Sequence, residues 1–538
     1  MAATEGTFTP LDDGLDSTQS RNIARLTLGL VLLGLLWRTV RYALGFPIWG
    51  DEAMLISSLS VRDFGGMIRP LEYSQIAPVG FMWAELATTK VLGLSEWALR
   101  LLPWLAGMLS VPLFWRFCLL KNGKAGQTLN PVETLLAVAV FAASWFPVRH
   151  ASEAKPYSTD LLISLVLTSA AWVVYNRPER LAGWAALTIA GAIAVWASYP
   201  AIFVLAGAGA LLTLLVVRSL SRMNLVGWLV YGLCVGSSFA AMFLLIARPH
   251  ANAVSWLFHD ALWGPGFPPM AAPWRLPLWL LDAHTGPMMA YPIGGMNGGS
   301  TVTFILVLIG SIALWRTRRS LLLLLLSPLA FAFIAAVMKR YPYGVNARVS
   351  LYMAPAFCLL MGVGLAAALR RVLPPRRFYR GTVIAAVVVG LIAVGGMAMD
   401  CVHPYKSIWD RETRRLLREV ASRTAHNDRW VIFNSLTGNP YAPNLYLCRG
   451  PGARFRYYIT RLAPVPVEWS PAPDTVAPTP GGRAWLIAYQ SPDIPLPAGL
   501  LDRYLQELSK GRGKPVSSMV PLGRGTEAIA IYEFPTSP

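Results

Sequence analysis

Charge is scarce in this 538-residue sequence: 14% of residues are Asp, Glu, Lys or Arg, against about 25% in an ordinary soluble domain, while 55% are hydrophobic. That scarcity excludes a soluble globular protein. Acid is scarcer than base, 28 residues against 47, and the net charge is +19. In a soluble chain this balance points to nucleic acid, so the positions of the cations decide its meaning. Cysteine is sparse as well. Five are too few for a disulfide scaffold, and no CxxC or Cys/His cluster with metal-site spacing occurs. Cys118, Cys234 and Cys358 lie in apolar runs and read as packing residues. Cys401 and Cys448 lie in the polar C-terminal part, where they either pair, if that part faces an oxidising compartment, or stay as thiols. The basic n-region of a cleaved signal peptide is missing too: the stretch 1–19 carries Glu5, Asp12, Asp13 and Asp16, so the first apolar run is expected to stay as a span. No internal repeat is present.

What is there is a series of apolar runs of the roughly 20 residues needed to cross a hydrocarbon core. Eleven candidate spans centre on 24–46, 97–119, 131–149, 158–175, 181–199, 200–217, 225–247, 301–315, 320–338, 349–369 and 381–399. The fifth and sixth are separated only by Ser198, Tyr199 and Pro200 and read equally as one kinked helix. The short loops after every second span hold Lys121, Lys124, Arg177, Arg180, Arg218, Arg222, Arg316, Arg318, Arg319, Arg370, Arg371, Arg376, Arg377 and Arg380, which the positive-inside rule puts in the cytoplasm. Most of the basicity therefore records topology, and nucleic acid is not an expected partner. The expected organisation is a cytoplasmic tail over 1–22, a membrane domain over 23–399 and a polar domain over 400–538. The opposite face receives the loops 47–96 and 248–300, the turns 149–157 and 339–348, and the C-terminal part. Segments 52–59 and 82–92 read as amphipathic interfacial helices, and 248–300, rich in Pro, Gly and Trp, as an irregular lid. Past residue 400 a helix-like stretch at 410–424 and strand-like runs at 430–434, 484–489 and 528–534 predict a small α/β domain outside the membrane, interrupted by the Pro-rich loop 464–480.

Three ionisable clusters fall on that face. Asp51 and Glu52 follow the first span, where Asp51 also reads as a plain helix N-cap. The turn from His150 to Asp160 packs a base, Glu153, Lys155, Tyr157 and Asp160 into eleven residues, with solvated loop charges as the simpler reading. The stretch from Lys339 to Arg348, with Arg340 and Tyr343, sets cations against the topological bias and suits phosphate, whether of a bound substrate or of ordinary lipid headgroups. Together they describe an anion site with carboxylates beside it, suited to transfer chemistry on a lipid-linked phosphate. A transporter or flippase of an anionic lipid-linked substrate would account for the spans, but it usually places its charges mid-span. A non-catalytic scaffold would account for the folded tail and leave the loop clusters unexplained.

The Asp-Glu pair after the first span, the run Ala77-Pro78-Val79-Gly80-Phe81-Met82-Trp83, and the run from Leu94 to Pro103 resemble the GT-C superfamily of integral-membrane glycosyltransferases. Within it the likeness is to the protein O-mannosyltransferase-like group that includes the lipid A aminoarabinose and galacturonic acid transferases. The runs Glu153-Ala154-Lys155-Pro156-Tyr157 and Tyr341-Pro342-Tyr343-Gly344, followed by Arg348, look like two further family motifs. The likeness covers about residues 25–400, and some members carry a C-terminal extracytoplasmic α/β domain. The resemblance implies a polyprenyl-phosphate sugar donor, a lipid, glycan or protein acceptor and inverting transfer on the non-cytoplasmic face; the abundance of Ala, Leu and Arg suggests a bacterial chain and hence the plasma membrane, with an endoplasmic reticulum enzyme facing the lumen sharing the same topology. It implies Asp51 as the catalytic carboxylate with Glu52 helping to position it, Asp160 as a second acidic position, and Lys155, Arg340 and Arg348 as grips on the donor phosphate. Glu153, Tyr157, Tyr343 and Gln75 are further site candidates. A divalent cation, Mg²⁺ or Mn²⁺, shared by Asp51, Glu52 and Asp160 is left open. One departure stands out: the aminoarabinose transferases have Lys before the Pro of the first loop, where this chain has Ala77.

Overall fold

The computed structural model describes residues 15–121, 126–255, 263–294, 298–434, 446–469, 481–490, 499–510, 512–521 and 528–536. In chain order its first helices are α1 (Ser17–Ala43), α2 (Gly50–Val61), α3 (Val79–Leu92), α4 (Ala98–Cys118), α5 (Pro131–Ala143), α6 (Trp145–His150), α7 (Tyr157–Asn176) and α8 (Leu181–Ala197). They continue with α9 (Ala201–Ser219), α10 (Arg222–Met242), α11 (Arg248–Ala253), α12 (Leu276–Thr285), α13 (Gly299–Thr317), α14 (Arg319–Val337), α15 (Ala354–Val372) and α16 (Pro375–Val402). Among the described residues nine helices are long and apolar enough to cross a membrane, counting α10 and α11 as one continuous rod. Every expected span coincides with a helix, and two are shorter than expected.

The shorter ones have local causes. Asn130 caps α5 by accepting from the Glu133 N–H (2.8 Å), and Pro131 occupies its first turn. Ser144 then leaves helical geometry (φ −74°, ψ 120°), so α5 stops after 13 residues and α6 begins. The turn at 198–200 separates α8, 17 residues long, from α9. The kinked-helix reading is thereby replaced by two helices.

Small residues set the closest helix contacts. Gly362 of α15 lies on Ala137 of α5, while Gly310 of α13 and Gly364 of α15 each face a carbonyl of the other helix, Leu360 and Leu306. A methyl group at any of these positions overlaps its neighbour, so glycine permits the backbone approach that makes α15 the buried centre of the bundle. On the basic face Glu133 accepts from Arg318 Nη1 (2.9 Å) and has Arg370 at 4.0 Å, which draws the ends of α5, α14 and α15 together.

The C-terminal part holds α17 (Ile408–Arg423), α18 (Tyr446–Leu462) and α19 (Leu500–Ser509), with strands β1 (Arg429–Asn434), β2 (Val467–Trp469), β3 (Ala484–Gln490), β4 (Val516–Pro521) and β5 (Ala528–Phe534). The sheet order is β2-β1-β3-β5-β4, with β1 parallel to β2 and β3, and β5 antiparallel to β3 and β4. The three strand runs and the helix read from the sequence are all present. The additional elements had weak signals: Gly450, Pro451 and Gly452 lie inside α18, β2 is three residues long within the Pro-rich stretch, and β4 carries Ser517 and Ser518.

This domain changes the surroundings of α2. Phe455, Tyr458 and Ile459 of α18 share one apolar cluster with Leu55 and Leu59 of α2 and Phe81 and Met82 of α3, so α2 is covered by the C-terminal part. Cys401 is an exposed free thiol, and the side chain of Cys448 lies outside the described residues.

Candidate functional site

The first residues after α1 are held from three sides. Arg100 of α4 donates through Nε and Nη2 to the two oxygens of Glu52 (2.8 and 2.6 Å) and also reaches the Phe46 and Pro47 carbonyls. Glu52, fully buried, takes a third bond from the Ala154 N–H (2.7 Å) and stands in the first turn of α2, near the Trp49 N–H (3.3 Å). Ile48 N–H donates to the Tyr458 hydroxyl of the C-terminal domain (2.8 Å). Glu52 thus ties α2, α4 and the 149–157 turn together, and each of its oxygens is committed.

Asp51 points the other way. Its Oδ1 lies 3.1 Å from Lys155 Nζ, and its Oδ2 accepts from Arg348 Nη1 at 2.9 Å. Lys155 Nζ also donates to Gln75 Oε1 (2.7 Å). Four of the expected residues, Asp51, Lys155, Arg348 and Gln75, therefore meet at one point. Burial by itself raises the Asp51 pKa, but the pull of Lys155 and Arg348 outweighs it and leaves the carboxyl below its ordinary value. Burial lowers that of Lys155, with Asp51 and Arg348 acting in opposite senses.

Glu153 adjoins this cluster through different partners. It accepts from Arg149 Nε (2.8 Å) and contacts His150 Nδ1 (2.7 Å), and Tyr157 stands edge-on to the His150 ring at 5.0 Å. Burial raises the Glu153 pKa, and the charge of Arg149 with the His150 contact carries it well below the usual carboxylate range.

Three expected residues lie elsewhere. Asp160, in the first turn of α7, is buried with Oδ1 lacking a partner and interacts with Ser198, Tyr199, Tyr341 and Tyr352 rather than with Asp51. Arg340 is exposed just past the end of α14, beside Lys339 with its left-handed backbone (φ 53°), and pairs with no carboxylate among the described residues. Tyr343 is buried, but its hydroxyl meets His284 Nε2 (3.1 Å), and its ring packs on Trp279 and Phe333, fastening the lid helix α12 to the 339–348 turn. The proposed sharing of a metal by Asp51, Glu52 and Asp160 finds no support in this arrangement. The oxygens of Asp51 face two cations and those of Glu52 face Arg100. Among the described residues no group of three His, Cys, Asp or Glu is placed to hold a metal. These residues do not fit Mg²⁺ or Mn²⁺. His259 and Asp260, adjacent in the 248–300 loop and by themselves too weak a pattern to read as a metal site, lie outside the described residues.

Sequence reasoning missed Arg100, Lys406 and the hub at Glu96. Arg100 had a signal, as a cation at the head of an apolar span. Lys406 follows the last span on the face where cations run against the topological bias, and its ammonium lies over the Trp49 ring. Glu96 accepts from Arg461 and from the Tyr458 hydroxyl (3.2 Å), with Arg414 at 3.4 Å, so it docks the C-terminal domain onto the loop that carries Asp51.

No family model and no curated protein matches the sequence. Solved structures do. The crystal structure of ArnT from Cupriavidus metallidurans in the apo state is 12% identical, with a TM-score of 0.50 over 94% of this chain and 98% of that one. The structure of the same protein bound to undecaprenyl phosphate is 13% identical, with a TM-score of 0.51 over the same shares. The likeness runs over nearly the whole length of both chains, membrane helices and C-terminal part together: this chain has the fold of the GT-C integral-membrane glycosyltransferases.

Proposed function

We propose that this protein is a GT-C glycosyltransferase that moves a sugar from a polyprenyl-phosphate donor to a lipid, glycan or protein acceptor on the non-cytoplasmic face of a bacterial plasma membrane. The observation that carries the reading is the buried carboxylate of Asp51 shared by two cations, Lys155 and Arg348, at the mouth of the bundle. ArnT, whose fold it shares, has been crystallised with undecaprenyl phosphate.

The arrangement gives the donor phosphate a reason to bind. Arg and Lys pair well with phosphate oxygens, and such charge-assisted bonds are about twice as strong as neutral ones. As the phosphate takes up Lys155 and Arg348, Asp51 loses the charges that hold its pKa down, and burial then makes it a better base. The acceptor hydroxyl or amine attacks the anomeric carbon and its proton passes to Asp51. The new bond to that carbon forms as the bond to the phosphate oxygen breaks, and the electron pair stays on the phosphate. Attack from the opposite side inverts the anomeric centre. The leaving phosphate gains negative charge, so Lys155 and Arg348 bind the transition state more tightly than the ground state. Glu52 keeps Asp51 in place, with Arg100 as its counterion. Lys155 bonds Gln75 of the first loop, and in this reading it supplies from another loop the charge that Ala77 does not.

The test is turnover by the purified, detergent-solubilised protein with a panel of polyprenyl-phosphate sugars, following release of the free lipid phosphate by mass spectrometry. Release with at least one donor, lost in D51N, is the expected result. No release from any donor, with vesicle-to-vesicle movement of the lipid instead, favours a flippase.

A further inference from the structure

The cluster around Asp51 holds more cation than its own carboxylates consume. Arg100, Arg149, Lys155 and Arg348 are each paired: Arg100 with Glu52, Arg149 with Glu153, and Lys155 and Arg348 with Asp51. Lys406 is the fifth cation. It senses Glu153, Asp51 and Glu52, yet it makes no hydrogen bond or ion pair with any of them, because their oxygens are already taken. Five cations thus face three carboxylates, an excess of two, which matches the charge of a phosphate monoester near neutral pH, about −1.5 to −2.

Two further observations concern the surroundings of Lys406. Lys406 lies over the ring of Trp49, and the indole Nε1 of that ring is a buried donor with no acceptor. One residue pair thus brings together an ammonium and an indole N–H, neither of which meets an acceptor among the described residues. The spot is also fixed. On one side of Lys406, Asp400 is bound by Arg41 and by Trp37 Nε1 (2.8 Å). On the other, Ser407 and Asp410 form a capping box at the start of α17, and Asp410 accepts from Arg454 (2.5 Å). The backbone is held from both ends while the residue itself stays exposed.

We infer that Lys406, with the Trp49 indole, is a second phosphate-binding position supplied by the junction to the C-terminal domain, and that it takes the phosphate monoester of the lipid as it leaves Lys155 and Arg348. This rests on the transferase reading above. Lys406 is expected to engage the product more than the donor, since the donor diester has one charge fewer. Desolvation by the surrounding protein, with a smaller push from Arg149 of the 149–157 turn, pulls the Lys406 pKa down to about 7 against the opposing pull of Glu153 from that turn and of Asp51 and Glu52 from α2, so that its charge and its hold on phosphate decline as pH rises.

The experiment is a thermal-shift titration of the full chain in detergent with undecaprenyl phosphate, undecaprenol and inorganic phosphate, on wild type, K406M and K406R. Wild type is expected to bind undecaprenyl phosphate at least tenfold more tightly than K406M does, with K406R within about threefold of wild type and undecaprenol alike in all three. Between pH 7 and 9 the wild-type affinity should fall more steeply than that of K406R. Equal affinity for undecaprenyl phosphate in wild type and K406M overturns this inference and leaves the transferase reading standing. A response of wild type to inorganic phosphate but not to the lipid phosphate, lost in K406M, keeps the subsite and removes the transferase reading. No response to either phosphate overturns both.

Discussion

Arg348 Nη1 and Asp51 Oδ2 stand 2.9 Å apart across 297 residues of sequence. This bond joins the turn after α14 to the head of α2, and it makes the carboxylate and a cation hold each other at rest. A ligand that competes for one partner frees the other.

Replacing Asp51 by Asn removes the proton acceptor and keeps the shape. Sugar transfer should fall by about 10²- to 10⁴-fold, the usual contribution of a general base, while donor binding persists because Lys155 and Arg348 remain. Initial rates and donor binding on the same preparation check this. A wild-type rate in D51N removes Asp51 from the mechanism.

Arg348→Ala acts on binding first. Hydrogen bonds to charged groups are worth about 1.5–3 kcal/mol, so donor affinity should weaken by about 10- to 150-fold. Titration with a donor analogue reads it directly, and unchanged affinity is incompatible with a phosphate role.

Arg100→Met tests the frame rather than the chemistry. It leaves Glu52 buried and without its counterion, a loss of about 3–5 kcal/mol in comparable cases. A lower melting temperature, with activity lost in proportion to unfolding, is the expected outcome. Full stability with lost turnover instead makes Arg100 part of the catalytic machinery.

Glu85 of α3 provides a pH test. It is buried, both its oxygens lack partners, and burial with the nearby Glu52 raises its pKa well above the ordinary value. A raised carboxyl contributes stability in its protonated form, and that contribution is lost as pH rises above the unfolded value of about 4.3 toward the folded one. E85Q should therefore be more stable than wild type at pH 8, with the difference shrinking toward pH 5. Melting curves at the two pH values suffice, and a pH-independent difference contradicts the burial argument.

Glu96→Ala should loosen the C-terminal domain, since Arg461, Arg414 and Tyr458 all converge on that carboxylate. Faster proteolysis between α16 and α17, read by mass spectrometry of the fragments, is the expected sign. An unchanged cleavage rate shows that apolar packing of α18 on α2 carries the docking.

The sequence by itself determined the membrane spans and their basic face, because both depend on composition over windows of about 20 residues and not on distant contacts. It also marked Asp51, Lys155 and Arg348, since charge at span ends is costly unless used. The roles within each cluster were decided by tertiary structure. Asp51 and Glu52 are neighbours of like charge, and only packing turned one toward Lys155 and Arg348 and the other toward Arg100. Asp160 and Arg340 carry the same residue chemistry as the residues at the site, yet the start of α7 directs the first toward a tyrosine cluster and the second stands exposed just past the end of α14. The covering of α2 by α18 and the arrival of Lys406 depend on contacts that span more than 350 residues, of which the Ile48 to Tyr458 bond, 410 residues long in sequence, is one. No local pattern encodes such a distance. The scarcity of charge settled where the protein resides, and the pairing of the few charges it has settled which of them are free to act.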